Sequence, residues 1–208
     1  MRSTAHAMRT RAAVAGAGFL AALIVTSGAT PAAAQETCWS GRHAQFFNAI
    51  HYCVSSALAP QGDNNYGPEN LARWEGNSAK AWCEGVRGNG IGETITIRIE
   101  GAVPFRRLLV ANGYPKSAQS YANNGRVKTV EITADTGFRT LANLPDRSDI
   151  LPVELPNLAQ HWIQLKIVDV YPGQRFTDTC LSFVTPDFEY EEELLLREQG
   201  VLPRPPQR

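Results

Sequence analysis

The stretch AWCEGVRGNGIGETITIRIEG, residues Ala81–Gly101, decides the fold class of this chain. Its second half alternates between isoleucines at 95, 97 and 99 and polar side chains at 94, 96 and 98. This alternation predicts a half-buried β-strand over Glu93–Glu100. The glycines of Gly88–Gly92 stand directly before that strand, where they predict a tight turn.

The same alternation of apolar and polar residues continues downstream. Short runs with alternating polarity are separated by turn residues, and no helical pattern alternates with them. This order predicts an all-β antiparallel sandwich. The further predicted strands are Phe105–Val110, Arg126–Thr133, Phe138–Leu141, Val153–Leu155, Trp162–Val170 and Cys180–Val184, with breaks at Asn123–Gly125, Asp135–Gly137 and Tyr171–Gly173.

A helical pattern precedes the strands. Between Ser40 and Leu58, apolar residues recur at the three-to-four spacing of an amphipathic helix. We therefore expect residues 35–60 to form a short N-terminal helical leader that packs on the sandwich or is tied to itself by a disulfide. His43 and His51 lie eight positions apart within it. Because no third ligand lies nearby, we interpret them as partly exposed helix residues rather than as a metal site.

A second helical pattern follows the strands. Asp187 can cap a helix over Glu189–Gln199, with acidic residues in its first turn and Gly200 just beyond its end. We expect Leu194–Leu196 to pack this helix on the sandwich. Residues 187–208 are thus expected to comprise a C-terminal helix and a flexible tail that is extended or disordered. The acidic cluster is explained by the helix dipole, so it does not require a bound cation.

Residues 1–34 have the pattern of a secretory signal peptide. The apolar run is shorter than the roughly 20 residues that a membrane-spanning helix needs, and cleavage near Ala34 leaves a mature chain that begins at Gln35. We therefore expect a secreted or periplasmic protein without a transmembrane anchor. The features of the signal are Arg2, Arg9 and Arg11, the apolar run Ala12–Val25 and the small residues Pro31–Ala34.

The charge of the mature chain excludes some partners. The full sequence has 20 basic and 20 acidic residues, and the predicted signal removes three arginines and no acid, which leaves a net charge of −3. This balance argues against nucleic acid or an anionic membrane as the main partner. The remaining 174 residues are enough for one domain with its own core.

Three motifs carry a resemblance to a known family. Ala81–Gly101 is followed by NGYPKSAQSYANNGRVK at Asn112–Lys128 and by DVYPGQRFTDTCLS at Asp169–Ser182. In this order and spacing they resemble the discoidin-like, galactose-binding-like β-sandwich that forms the translocation domain of bacterial NAD glycohydrolase toxins. The resemblance covers roughly Tyr66–Val184 and implies a jelly-roll sandwich over residues 61–186 with a binding role.

The sequence departs from the family pattern at two places. Where related domains carry an acidic D-G-N-like turn, this chain has Trp74–Asn77 with Glu75 in place of the short acid. Since calcium ligands must close around the ion at about 2.3 to 2.6 Å, a calcium site at this turn is in doubt. Phe183 stands where the family run has an acid, which weakens any carry-over of function from that end.

All four cysteines lie in the mature chain, and an even number in an exported protein is typical of disulfides. Three pairings are possible. The resemblance places Cys83 and Cys180 on early and late strands and so implies that they pair, which leaves Cys38 with Cys53. A zinc site is the alternative, but there is no C-x-x-C pair and the spacings fit no zinc finger.

No sequence motif indicates catalysis. The glycines at 88, 90 and 92 precede a strand, whereas a dinucleotide loop must open a helix. Serine-nucleophile, zinc-protease and P-loop motifs are absent from the sequence. In the resembling toxins a separate domain cleaves NAD, so we expect no such activity and no cofactor here. Glu84, Glu93 and Asp178 are interpreted as buried or turn-capping carboxylates rather than as an acid and base pair.

The loops at one end of the sandwich are the expected binding site. Sugars are bound by aromatic faces and planar polar groups, and these loops contain both. A loop with a purely structural role is an equally favoured alternative. Trp82 is expected to lie in the core beneath the loops. We expect a non-catalytic module that binds a glycan or polar cell-surface ligand. The alternatives are an envelope protein-interaction module and, less favoured, a glycan-processing enzyme. The candidate ligand-binding residues are Tyr114, Lys116, Tyr121, Asn123, Asn124, Arg126 and Tyr171.

Overall fold

The computed structural model describes residues 36–72, 80–101 and 103–203. The predicted signal peptide over residues 1–34, the predicted turn at Trp74–Asn77 and the last five residues lie outside them. Within these ranges the chain forms strands, two short α-helices and a 3₁₀ turn at Pro68–Leu71. The strands are β1 (Thr37–Ala44), β2 (Phe47–Val54), β3 (Trp82–Cys83), β4 (Thr94–Glu100), β5 (Phe105–Asn112), β6 (Gly125–Ala134), β7 (Arg139–Asn143), β8 (Ile150–Ala159), β9 (Trp162–Tyr171) and β10 (Thr179–Pro186), and the helices are α1 (Ala118–Asn123) and α2 (Phe188–Glu198).

The strands form two antiparallel layers joined by one parallel contact. Hydrogen bonding follows the order β1-β2-β4-β9-β6-β10-β5-β8, with β7 added to β6 and β3 added to β10. Only the β6–β10 pairing is parallel, and it consists of two residue pairs, Thr179 with Gly125 and Cys180 with Arg126. The predicted all-β antiparallel sandwich is therefore confirmed.

Strand β4 shows how the sequence pattern builds the core. Ile95, Ile97 and Ile99 are buried, while Arg98 on the opposite face is exposed. The strand lies between β2 and β9, so its isoleucines contribute to one continuous core. Trp82 is also fully buried, as expected, and its indole N–H donates to the carbonyl of Ser56 at 2.8 Å.

The predicted N-terminal helix is wrong. Residues 37–54 form the β1–β2 hairpin, and β2 pairs with β4 over six positions. The residues buried from β2 include Ile50, Tyr52 and Val54, which have the period of a strand. Pairing with β4 therefore overrides the helical spacing, and the hairpin belongs to the sandwich instead of forming a separate leader.

Both expected disulfides are present, Cys38–Cys53 and Cys83–Cys180. Each joins residues that face each other across an antiparallel strand pair. The four cysteines are therefore unavailable as zinc ligands. This applies also to the group of Glu36, Cys38 and Cys53, whose potential ligand atoms lie within 4.8 Å of one another.

The C-terminal helix is confirmed, but it packs through different residues than expected. Asp187 caps it by accepting the N–H of Tyr190 at 3.2 Å. Phe188 enters the core and Glu191 is buried, whereas Leu195 on the predicted leucine face is 48% exposed. Neither helix in the described ranges has the length and apolar content needed to cross a membrane.

Candidate functional site

The loops at one end of the sandwich enclose a cavity of about 310 Å³. Strand β5 ends there and β6 and β10 begin there, so their connections converge with the loop that follows β2. Four of the seven predicted residues line this cavity, which we call the polar cavity: Tyr114, Lys116, Asn123 and Asn124. Among the other lining residues are six that the sequence analysis did not select, namely Gln61, Asn64, Tyr66, Gln119, Phe176 and Asp178.

Asn64 organises one wall of the polar cavity. Its Oδ1 accepts from the Nζ of Lys116 at 2.9 Å and from the hydroxyl of Tyr114 at 3.3 Å. The Tyr114 ring meets Tyr66 edge to face, with ring centroids 6.0 Å apart. Burial raises the pKa of both tyrosines above the ordinary value, so both phenols are neutral at physiological pH.

Helix α1 supplies the opposite wall. Ser117 caps it by accepting the N–H of Ser120 at 3.0 Å. Asn123 Oδ1 accepts from Gln119 Nε2 at 2.7 Å, and Asn124 Nδ2 donates to the carbonyl of Ser120 at 2.8 Å. The helix itself was not expected, because its polar, glycine-flanked sequence has the composition of a loop.

The other three predicted residues, Tyr121, Arg126 and Tyr171, do not line the polar cavity. Arg126 donates from Nε to Asp146 Oδ1 at 3.0 Å and from Nη2 to Asp146 Oδ2 at 2.7 Å. The Tyr121 hydroxyl donates to the same carboxylate at 3.0 Å, and the Tyr171 hydroxyl donates to the carbonyl of Leu144 at 3.2 Å. We call these residues the Arg126 cluster.

The charges of the Arg126 cluster belong to an ion pair, Arg126 with Asp146, that is hydrogen-bonded within the protein. Arg126 is 9% exposed and also donates to the carbonyls of Asn124 and Pro172. Its hydrogen bonds hold the pKa of Asp146 below the usual range of an aspartate. Four hydrogen bonds to protein acceptors therefore hold the guanidinium, and the cluster fixes the loop carrying Asp146 beside α1.

The three carboxylates considered for catalysis have different environments. Glu84 is fully buried and accepts the N–H groups of Val86 at 2.8 Å and Thr179 at 3.1 Å. Glu93 accepts from the hydroxyls of Ser55 and Ser56. Asp178 alone of the three lines the polar cavity, and burial raises its pKa.

The glycine-rich segment before β4 is a turn, as predicted. Gly88, Gly90 and Gly92 all have positive φ, and the segment leads into a strand rather than a helix. The carbonyl of Asn89 accepts from the Thr179 hydroxyl at 2.9 Å, which ties the turn to β10. This turn therefore does not have the geometry of a nucleotide-binding loop.

His51 lies on strand β2 rather than on a helix. Its Nδ1 is 2.8 Å from the hydroxyl of Ser40, and its Nε2 is 3.3 Å from Glu100 Oε1. The side chain of His43 lies outside what the structure describes.

Comparison with known proteins identifies the family. Residues 47–187 match the family of NAD glycohydrolase translocation F5/8 type C domains, and the chain belongs to this family. The discoidin-like resemblance expected from the sequence is thereby confirmed. No curated protein matches the chain.

Similar solved structures include two sugar-bound modules from Clostridium perfringens. CpGH89CBM32-5 in complex with GalNAc-β-1,3-galactose has 12% identity and a TM-score of 0.48, covering 65% of this chain and 92% of its own. The family 32 CBM of NanJ in complex with galactose has 13% identity and a TM-score of 0.45, covering 65% and 90%. The arabinofuranosyltransferase AftD from Mycobacteria has 15% identity and a TM-score of 0.48, covering 74% of this chain and 11% of its own.

Proposed function

We propose that this protein is an exported, non-catalytic module that binds a glycan in the polar cavity. The observation that carries the proposal is the chemistry of the cavity lining. Side-chain amides and hydroxyls at Gln61, Asn64, Ser117, Gln119 and Asn123 surround a volume of about 310 Å³. Sites for uncharged polar ligands combine such fixed hydrogen-bonding groups with apolar walls.

Aromatic side chains supply those walls. Tyr66, Tyr114 and Phe176 all line the cavity, and 42% of the Phe176 surface is exposed. An exposed phenylalanine ring can stack on the C–H face of a sugar, which covers its apolar surface. Lys116 is bonded to the neutral Asn64 rather than to an acid, so it remains able to donate to a ligand hydroxyl.

Among the described residues, the polar cavity has only one of the two carboxyl groups that glycoside hydrolysis requires. Both common mechanisms use two carboxyl groups on either side of the scissile bond. Within the described ranges, Asp178 is the single carboxylate that lines the polar cavity. Glu84 is buried and its two oxygens accept backbone N–H groups, so it is not placed to act on a ligand.

Two disulfides support the proposed export, because such bonds persist in oxidising compartments. The predicted signal peptide over residues 1–34 gives the same destination, secreted or periplasmic. A protein partner in the envelope remains the alternative. The exposed large apolar side chains of the described residues lie on separate elements, including Ile91, Leu141 and Leu195, and so do not favour it.

The test is a glycan array probed with the oxidised protein and two double variants. Asn123→Ala with Phe176→Ala removes one polar and one aromatic group from the polar cavity. As the control, Asn157→Ala with Val168→Ala removes one exposed polar side chain and one exposed aliphatic side chain elsewhere on the surface. We expect selective binding by the wild type and by the control variant, and at least tenfold weaker binding by the cavity variant. An array without binding by the folded wild type would reject the glycan proposal.

A further inference from the structure

A second cavity adjoins the polar cavity. It has a volume of about 540 Å³ and lies between strand β1, the segment after β2 and the 3₁₀ turn. Leu58 and Tyr66 line both cavities, so the two spaces are neighbours separated by these side chains. We call the second space the apolar cavity.

The two cavities differ in chemistry. The apolar cavity is lined mainly by apolar groups, among them Trp39, Ala57, Ala59, Pro60 and Pro68. The polar cavity is lined by amides and hydroxyls. Glu69 and Lys80 place one charge of each sign along the apolar cavity, so its lining has no net charge that would favour an ionic ligand.

A single ligand that satisfies both cavities must be polar at one end and apolar at the other. We propose that the ligand is a glycan that carries an apolar group, such as an acyl or alkyl chain of a glycolipid. The sugar occupies the polar cavity, and the apolar group crosses Leu58 and Tyr66 into the apolar cavity. This inference rests on the proposed glycan binding and adds the class of glycan that the site selects.

The geometry favours an apolar group over a second sugar. A pyranose brings hydroxyls on every edge, and burying them without partners costs free energy. The alanine, proline and leucine side chains of the apolar cavity offer no hydrogen bonds to such hydroxyls, and its polar lining is limited to Thr37, Asn65, Glu69 and Lys80 among the described residues. An alkyl chain has no such requirement, and it gains affinity in proportion to the apolar surface removed from water. A volume of about 540 Å³ is within the range of small-molecule sites, about 300–1,000 Å³.

The test compares methyl and n-octyl β-D-galactopyranosides and β-D-glucopyranosides below their micelle concentrations. Affinity is measured by calorimetry, and the indole N–H signal of Trp39 is followed by NMR. Ala59→Trp fills the apolar cavity from an exposed position, and Asp63→Trp adds the same ring on the same loop at a position that lines neither cavity.

We expect an octyl glycoside to bind at least about tenfold more tightly than its methyl counterpart, which corresponds to the burial of about two methylene groups. The octyl ligand should shift the Trp39 signal. Ala59→Trp should abolish the gain and leave methyl glycoside binding unchanged, while Asp63→Trp should preserve both.

The outcomes separate this inference from the proposed function. Methyl glycoside binding without an octyl gain, or a gain that survives Ala59→Trp, would overturn the inference and leave glycan binding intact. A Trp39 shift with octyl ligands when no methyl glycoside binds would retain the apolar site and reject the glycan proposal. If neither series binds, the inference is overturned, and the glycan array decides the proposed function separately.

Discussion

Arg126 binds Asp146 through two parallel hydrogen bonds, Nε to Oδ1 at 3.0 Å and Nη2 to Oδ2 at 2.7 Å. The guanidinium belongs to the first residues of β6, and the carboxylate belongs to the loop between β7 and β8. Two backbone carbonyls accept hydrogen bonds from its Nη1. The pair therefore stabilises the loops beside the polar cavity, although the sequence alone suggested a ligand-binding arginine.

Removing this arginine should destabilise the fold. Arg126→Ala leaves a partly buried carboxylate and two carbonyls without their donor, so we expect a loss of about 2–4 kcal/mol in the free energy of unfolding. Urea denaturation measures it. The control is Lys128→Ala, which breaks the Lys128–Asp169 pair at 2.7 Å on the open surface and should change stability much less. Equal losses in the two variants would contradict the role assigned to the cluster.

The Arg126–Asp146 pair makes the free energy of unfolding depend on pH. Arg126 lowers the pKa of Asp146, so the folded state gains stability when the carboxyl is ionised. That gain is fully present above the ordinary aspartate pKa of about 3.9, and it is lost as pH falls through the lower pKa of the folded state. The stability difference between wild type and Arg126→Ala should therefore shrink below about pH 4.

The two disulfides should contribute unequally. Cys83–Cys180 closes a separation of 97 residues and Cys38–Cys53 one of 15. In the chain-entropy description such loops correspond to about 4.7 and 3 kcal/mol. Replacing both cysteines of a pair by serine should therefore cost more for Cys83–Cys180 in thermal unfolding under identical conditions. A larger loss from the Cys38–Cys53 replacement would show that loop length does not set the order.

The strands were predictable because alternation is a local signal. Ile95, Ile97 and Ile99 identify β4 without reference to any other segment. Strand β8 was predicted at three residues but spans ten, since Pro152 and Pro156 interrupt its pattern. Proline is tolerated there because β8 is an edge strand that pairs only with β5 along the main sheet path.

The errors came from non-local pairing and from an unrecognised helix. Spacing around Ile50 and Val54 fits a helix or a strand, and only pairing with β4 decides between them. In the candidate site, residues adjacent in sequence were grouped together. Helix α1 separates them, because Asn123 faces the polar cavity while Tyr121 reaches Asp146.

The turn before β4 provides a test of close packing. A Cβ added at Gly90 would lie 2.4 Å from Cγ of Glu84, a buried side chain that two backbone N–H groups hold in place. Gly62 has a similar positive φ with nothing within 4 Å, so it is the matched control. Gly62→Ala should cost about 1–2 kcal/mol from backbone strain alone. Gly90→Ala should cost about 1–3 kcal/mol more, as measured by urea denaturation.

Helix α2 is held by a buried carboxylate. Glu191 is 4% exposed, and its Oε1 accepts the backbone N–H of Arg106 at 2.8 Å. Glu191→Ala leaves that N–H without its acceptor, so we expect a loss of about 2–3 kcal/mol in the free energy of unfolding. Glu192→Ala changes the neighbouring exposed residue and should remain within about 0.5 kcal/mol of the wild type. Comparable losses would indicate that helix charge, rather than this hydrogen bond, determines the effect.

Asp178 links the stability of the fold to the proposed binding. Burial raises its pKa, so the ionised carboxylate disfavours the folded state as pH rises above the ordinary aspartate pKa of about 3.9. Asp178→Asn removes this cost and should therefore unfold at the same or a higher urea concentration than the wild type at pH 7. A carboxylate retained at such a cost in a cavity is suited to accept hydrogen bonds from ligand hydroxyls.

Ligand binding should then weaken in acid. Protonation of Asp178 removes one acceptor from the polar cavity, and because its pKa is raised the loss begins at a higher pH than for an exposed aspartate. Affinity for a glycan that binds on the array, measured by calorimetry between pH 4 and pH 7, should fall as the pH falls. Asp178→Asn should bind more weakly than the wild type at pH 7 and show little dependence on pH. Wild-type affinity that stays constant across this range would remove Asp178 from the binding site.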